Sequence, residues 1–146
     1  FGVNLQLTTV SGRPYSARLR PERFGGSGYG GDLNGSRKPW IFTLDLKADK
    51  QFRLTSVDSK FPLNVNVYLR VQNLLNTANV INVYNATGAP EDDGYLVSSA
   101  GLAAISDLQT SGRDVDLFTE SYSWRLLNPN HYSLPRRIFL GAILEF

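Results

Sequence analysis

Few residues in this chain can do chemistry, and the setting of each limits what it can do. Glu91-Asp92-Asp93 gathers hard oxygen donors of the kind calcium takes. The ligand spacing of a calcium loop is missing, so a solvated acidic turn is the better reading. His131 is the only histidine. A general base needs a nucleophile or carboxylate in reach, and no serine-hydrolase motif accompanies it. A packed loop residue is the plainer reading. Gly25-Gly-Ser-Gly-Tyr-Gly-Gly31 is rich enough in glycine to suggest a phosphate cradle. It lacks the following Lys-Ser/Thr and a strand–loop–helix setting, which leaves a flexible loop. The last constellation is of another kind. Asp45, Lys47 and Asp49, then Asn64, Asn66, Tyr68, Arg70 and Gln72, fall at every second position. They form one polar row that can meet a plug, a passing solute, or water and one another. No catalytic residue, metal ligand set or cofactor site follows from any of these.

The period of two points to strands. Arg137-Ile-Phe-Leu-Gly-Ala-Ile-Leu-Glu-Phe146 alternates to its last residue. Ile138, Leu140, Ala142, Leu144 and Phe146 form one row; Arg137, Phe139, Gly141, Ile143 and Glu145 form the other. Successive side chains of a strand point to opposite faces. Residues 63–73 show the cleanest case, with Leu63, Val65, Val67, Leu69 and Val71 opposed to the polar row. Residues 40–53 carry Trp40, Phe42, Leu44, Leu46, Ala48 and Phe52 on one side, interrupted by Lys50. Residues 1–10 alternate as well, with Phe1, Val3, Leu5, Leu7 and Thr9 together. A helix would scatter these sets around its circumference.

The connections are unequal. Residues 54–62 form a short turn. Residues 16–39 hold Pro21, Pro39 and six glycines, keep no periodicity, and read as part of a long loop over 11–39. Residues 74–136 form a second long loop, far above the usual few residues. Within it a short strand is expected over Asn79–Tyr84 and a short helix over Val97–Gln109, capped by Ser98 or Ser99. The expected fold is therefore all-β: four antiparallel transmembrane strands with long extracellular loops.

Composition permits this. Mean hydropathy is −0.21 and net charge is +2. No apolar run of about 18 residues is present for a membrane helix, but barrel strands are half polar. No basic, aromatic-interleaved stripe suggests nucleic acid. Cysteine and methionine are both absent, and the chain opens on Phe1. The expectation is the tail of a longer exported precursor.

Outer-membrane barrels have short periplasmic turns, long outer loops and a periplasmic C-terminus. That rule places Phe1, Phe52 and Phe146 at one membrane level and Trp40 and Phe42 at the other. Aromatic side chains favour both interfaces, so these five form the expected aromatic girdle, independently of the loop lengths that set the orientation. Four strands leave free edges, which lipid does not tolerate, and single-chain barrels have about eight strands at least. The rest of the same polypeptide must close the sheet, or several copies of four strands each must do so. Oligomeric anchors of the second kind carry a pore-filling helix ahead of their strands, whereas this chain opens on a strand.

Several stretches resemble the C-terminal end of TonB-dependent outer-membrane receptors. Asn64-Val-Asn-Val-Tyr-Leu-Arg-Val-Gln-Asn-Leu-Leu-Asn-Thr-Ala-Asn-Val80, centred on Asn73-Leu-Leu-Asn76, resembles a late strand of that family. Residues 83–96 and Asn128-Pro-Asn-His-Tyr-Ser-Leu-Pro-Arg-Arg137 resemble the large Bacteroidetes-type, Oar-like receptors. Gly141, Leu144 and Phe146 resemble the C-terminal signal read by the barrel-assembly machinery, with Leu144 in place of the commoner aromatic and Phe139 where a polar residue is usual. The resemblance implies a barrel of about 22 strands around an N-terminal plug. It also implies import of a scarce ligand across the outer membrane of a Gram-negative bacterium. Implied partners are outer-membrane lipid, the remaining barrel and its plug, the assembly machinery, TonB through the N-terminal part, and a surface lipoprotein. Asp45, Lys47, Asn64, Asn66, Tyr68, Arg70 and Gln72 would then face the lumen. A structural, surface-anchoring or secretion barrel without import is the alternative, and an enzyme is not expected.

Overall fold

A computed structural model describes residues 1–21, 28–55 and 63–146. In chain order the elements are β1 (Gly2–Val10), β2 (Pro14–Tyr15), β3 (Ser36–Arg37), β4 (Ile41–Arg53), β5 (Asn64–Gln72), α1 (Ser99–Thr110), α2 (Val115–Leu126) and β6 (Arg137–Glu145), with a 3-10 turn at Pro129–His131 before β6. The chain is mostly β. None of its helices, among the described residues, is long and apolar enough to cross a membrane.

Two compact units divide the chain. One comprises Phe1–Val10, Ile41–Ala78 and Leu134–Phe146; the other comprises Ser11–Trp40 and Asn79–Ser133. The first unit is a four-stranded antiparallel sheet in the order β1-β4-β5-β6. Each long alternating stretch becomes one strand, and each strand pairs with its neighbours without a bulge in the ladder. Register aligns the apolar rows. Val3 meets Ala48, which meets Leu69, which meets Leu140; Leu5 meets Leu46, then Val71, then Ile138. A one-residue slip in any strand would turn its apolar row to the polar face. The β4–β5 hairpin is closed by Leu54 N–H to Leu63 O at 2.9 Å and Leu63 N–H to Thr55 Oγ1 at 2.9 Å. Residues 56–62 of the expected short turn lie outside the described residues.

The exit from β5 is built by the Asn73–Asn76 segment. Asn73 and Asn76 both have φ of 54°. Asparagine tolerates this left-handed region better than most residues. Buried Asn73 donates from Nδ2 to Thr77 O and Leu134 O, at 3.0 and 3.2 Å, and accepts from Thr77 N–H at 3.0 Å. Asn76 Oδ1 accepts from Arg136 N–H at 2.9 Å. The end of β5 is thereby tied to the residues that lead into β6.

The second unit has a small aromatic core of Tyr95, Tyr122 and Leu126, packed by Tyr84, Leu96 and Phe118. Phe118, Tyr122 and Leu126 recur every four residues, which puts them on one side of α2. Ser98 caps α1 by accepting from Gly101 N–H at 3.1 Å. Asp114 caps α2 by accepting from Leu117 N–H at 3.0 Å. A Cβ on buried Gly101 would strike the carbonyl of Tyr95, so glycine lets α1 lie against that backbone.

Three expectations need correction. Asn79–Tyr84 is no strand; it contributes only an isolated bridge, Val80 with Tyr132. Residues 11–39 are not wholly irregular, since β2 and β3 pair within them and Arg18 bridges Tyr29. The 74–136 connection holds α2 as well as the expected α1.

Candidate functional site

The sheet presents two chemically opposite faces. On the apolar face the exposed side chains include Leu5 at 60%, Leu140 at 76% and Leu144 at 61% exposure. Leu44, Leu46, Ala48, Val65 and Val67 are half-buried by their neighbours, and Val71 is buried. Among the described residues, the sheet's own unit holds these four strands and their connections and no second layer over this face. Water would oppose such an arrangement at roughly 25 cal/mol for each Å² of apolar surface left open.

The polar face carries the residues that sequence spacing brings together. Asp45, Lys47, Asn64, Asn66, Tyr68, Arg70 and Gln72 share it by register, as Lys47 pairs with Arg70 and Asp49 with Tyr68. Asn4 and Gln6 extend it across β1. The directly opposed cations Lys47 and Arg70 are flanked along β4 by Asp45 and Asp49, which offset a repulsive cross-strand pair. Asp45 Oδ1 accepts from Asn73 N–H at 2.9 Å, so one carboxylate of the face also holds the β5 exit. Gln51 donates to Glu145 across the sheet at 3.3 Å. Asn66 Oδ1 is buried without a hydrogen-bond partner.

Gly141 has a role in this face that the terminal motif does not announce. It pairs with Tyr68, whose ring lies over it; a Cβ at position 141 would stand 2.5 Å from Tyr68 Cζ. The pairing of an aromatic with a cross-strand glycine was the available signal, visible once register is known. Leu144 sits on the apolar face beside Val65. Phe52 pairs with Val65, so Phe52, the ends Phe1 and Phe146, and the β4–β5 connection occupy one end of the sheet. Phe42 pairs with Thr9 near the other end, two residues after Trp40.

In the loop unit the acidic triplet is dispersed. Glu91 accepts from the Tyr132 hydroxyl, Asp92 Oδ1 from Gly94 N–H at 2.7 Å, and Asp93 from Tyr95 N–H at 2.9 Å and the Tyr122 hydroxyl at 2.7 Å. Among the described residues no three metal-type ligands converge. The Glu91 contact raises the Tyr132 pKa above its ordinary value, chiefly by the hydrogen bond, with some desolvation and the carboxylate charge adding to it. His131 is buried, its Nδ1 2.7 Å from Pro90 O and its ring edge-on to Tyr84 at 4.8 Å. A carbonyl only accepts, so Nδ1 carries the proton and the ring serves as a clip. Of the glycine run, residues 25–27 lie outside the described residues. A cavity of about 300 Å³ opens between Glu91 and the α2 side chains Glu120, Ser123 and Trp124. Its exposed indole and two carboxylates were not singled out by spacing, because Glu91 is remote from α2 in sequence.

No family model, curated protein or solved structure matches the chain.

Proposed function

We propose that these residues supply consecutive strands of a larger outer-membrane β-barrel of the TonB-dependent receptor kind. Its apolar face meets hydrocarbon, its polar face lines the lumen, and its two long connections take part in ligand capture outside. One observation carries this reading: the apolar face bears exposed apolar side chains on each of the four strands while β1 and β6 keep their outer edges unpaired within the described sheet. In water such a sheet would aggregate through its edges and its face. In lipid the face is satisfied, and the edges are satisfied by further strands. The three phenylalanines at one end and Trp40 with Phe42 toward the other support the interfacial levels. The remaining strands, the plug and the TonB-contacting part belong to other regions of the polypeptide, and Gly141, Leu144 and Phe146 are read by the assembly machinery.

The test is the intact protein in the outer-membrane fraction. A mass several times 16.2 kDa, an upstream plug and saturable binding of TonB are expected. A band near 16.2 kDa in a heat-sensitive oligomer would replace the single-chain barrel with a multi-chain one. A large plug-less barrel that ignores TonB would make the protein a scaffold or secretion component. Recovery from the soluble fraction with no retention by lipid would overturn the reading.

A further inference from the structure

Lys50 is the one charged side chain on the apolar face among the described residues. It lies in the row Phe42, Leu44, Leu46, Ala48, Lys50, Phe52 and pairs with Val67. A lysine at the middle of a bilayer costs about 2–4 kcal/mol, and about 0–1 near an interface. Lys50 stands three residues before the end of β4. That is about 10 Å along a strand, and about 7 Å of depth at a barrel strand's tilt. A lysine stem covers most of that distance. Its direction is set: Nζ lies 5.0 Å from the centre of the Phe52 ring, toward the β4–β5 end. Lys50 and Phe52 line a mostly apolar hollow of about 220 Å³ together with Ala48, Val67, Leu69 and Leu140, with Phe1 and Asp49 also in its lining. That volume is below the roughly 300 Å³ at which small-molecule pockets begin, so it suits a length of chain and not a whole compact ligand.

We propose that Lys50 and this hollow form a seat for one anionic phospholipid, with the phosphate on the ammonium and an acyl chain along Val67, Leu69 and Leu140. The seat rests on the barrel reading above, under which the short β4–β5 connection faces the periplasmic leaflet. A cation among apolar side chains at headgroup depth is complementary to a phosphate that carries hydrocarbon. Phe52 holds the ammonium by its ring face and leaves its remaining donors to the phosphate.

The experiment uses the full chain purified from the outer membrane, exposed to equimolar phosphatidylglycerol and phosphatidylcholine of identical acyl chains, with retained lipids counted by native mass spectrometry. Phosphatidylglycerol should be enriched about fivefold, the worth of one basic residue at a membrane surface. Lys50→Gln should abolish the enrichment and Lys50→Arg should keep it. Equal retention of the two lipids, or enrichment unchanged in Lys50→Gln, overturns the seat. Millimolar inorganic phosphate should displace nothing; displacement would assign the site to a free anion and also overturn it. Membrane insertion is scored separately by protease protection of the strands. Insertion without enrichment sinks the seat alone, whereas no insertion in the wild type sinks the barrel reading with it.

Discussion

The two units of this chain use apolar residues in opposite ways. The loop unit turns Tyr95, Tyr122 and Leu126 inward, with Asp93 accepting from the Tyr122 hydroxyl and the Tyr95 N–H. The sheet unit turns Leu5, Leu140 and Leu144 outward and keeps its charges, Lys50 excepted among the described residues, on the other face. The first gathers its apolar side chains into a packed core; the second leaves them exposed on one face of a sheet. The contrast teaches where to look for function. In the sheet it lies in the choice of solvent for each face, and in the loop unit it lies in side chains that the small core leaves at the surface, such as Trp124.

The largest effect should come from reversing the sheet's choice. Leu140→Arg places a cation on the row that also holds Val3, Ala48 and Leu69, near the middle of the strands. If that face meets hydrocarbon, folding into lipid vesicles should lose about 2–4 kcal/mol. If it meets water, the change should lie within about 0.5 kcal/mol, as at other exposed sites. Equilibrium folding into vesicles against urea measures the difference, and a near-zero result would erase the contrast between the units.

Next comes the joint at the β5 exit. Asn73→Ala removes three side-chain hydrogen bonds and forces alanine to a φ of 54°. A loss of about 2–3 kcal/mol is expected from the three lost hydrogen bonds and the left-handed backbone. Asn73→Gly removes the same bonds without the backbone cost and should recover about 1 kcal/mol of it. Faster hydrogen exchange at Thr77 N–H should accompany both. Equal losses for the two variants would show that the backbone conformation, and with it this account of the asparagine, is not what matters.

The four long strands were legible because period-two alternation survives over nine to thirteen residues in each. Their pairing in chain order follows the antiparallel expectation. The polar row was legible for the same reason, since register only aligns what alternation has already sorted. The α1 cap at Ser98 followed from serine ahead of an Ala- and Leu-bearing run. Helix α2 was hidden: its sequence is rich in Ser, Thr and aromatics, which are weak helix formers. The signals that could have found it are Asp114 as cap, Asp116 in the first turn, Arg125 in the last, and Gly112 at a φ of 69° just after α1. Tyr132, Tyr122 and Pro90, which bond Glu91, Asp93 and His131 in turn, lie 29 to 41 residues from them and were out of reach of spacing.

In the loop unit, Asp93→Ala leaves the buried Tyr122 hydroxyl and the Tyr95 N–H without their acceptor. A cost of about 2 kcal/mol is expected. It should appear as a lower melting temperature reported by aromatic circular dichroism, with the β signal of the sheet retained. Loss of both signals together would mean that the two units fold as one cooperative body.

The smallest effect is also the most local. The Glu91 carboxylate accepts the Tyr132 hydroxyl and raises its pKa above the ordinary value of 10.0. The folded state therefore favours the protonated phenol. Its contribution to stability is complete below the unfolded pKa and is lost as pH rises through the higher folded one. Wild type and Tyr132→Phe should thus differ in stability at neutral pH and converge in strong alkali. The phenolate absorbance, taken as a difference between wild type and Tyr132→Phe, should titrate above 10.0. Glu91→Ala should bring that titration back toward the ordinary value, because it removes both the acceptor and the negative charge. Glu91→Gln, which keeps an acceptor, should fall between the two. A phenolate that titrates at the same pH in Glu91→Ala as in wild type would dissolve the contact. It would also unfix the carboxylate on the rim of the Trp124 cavity.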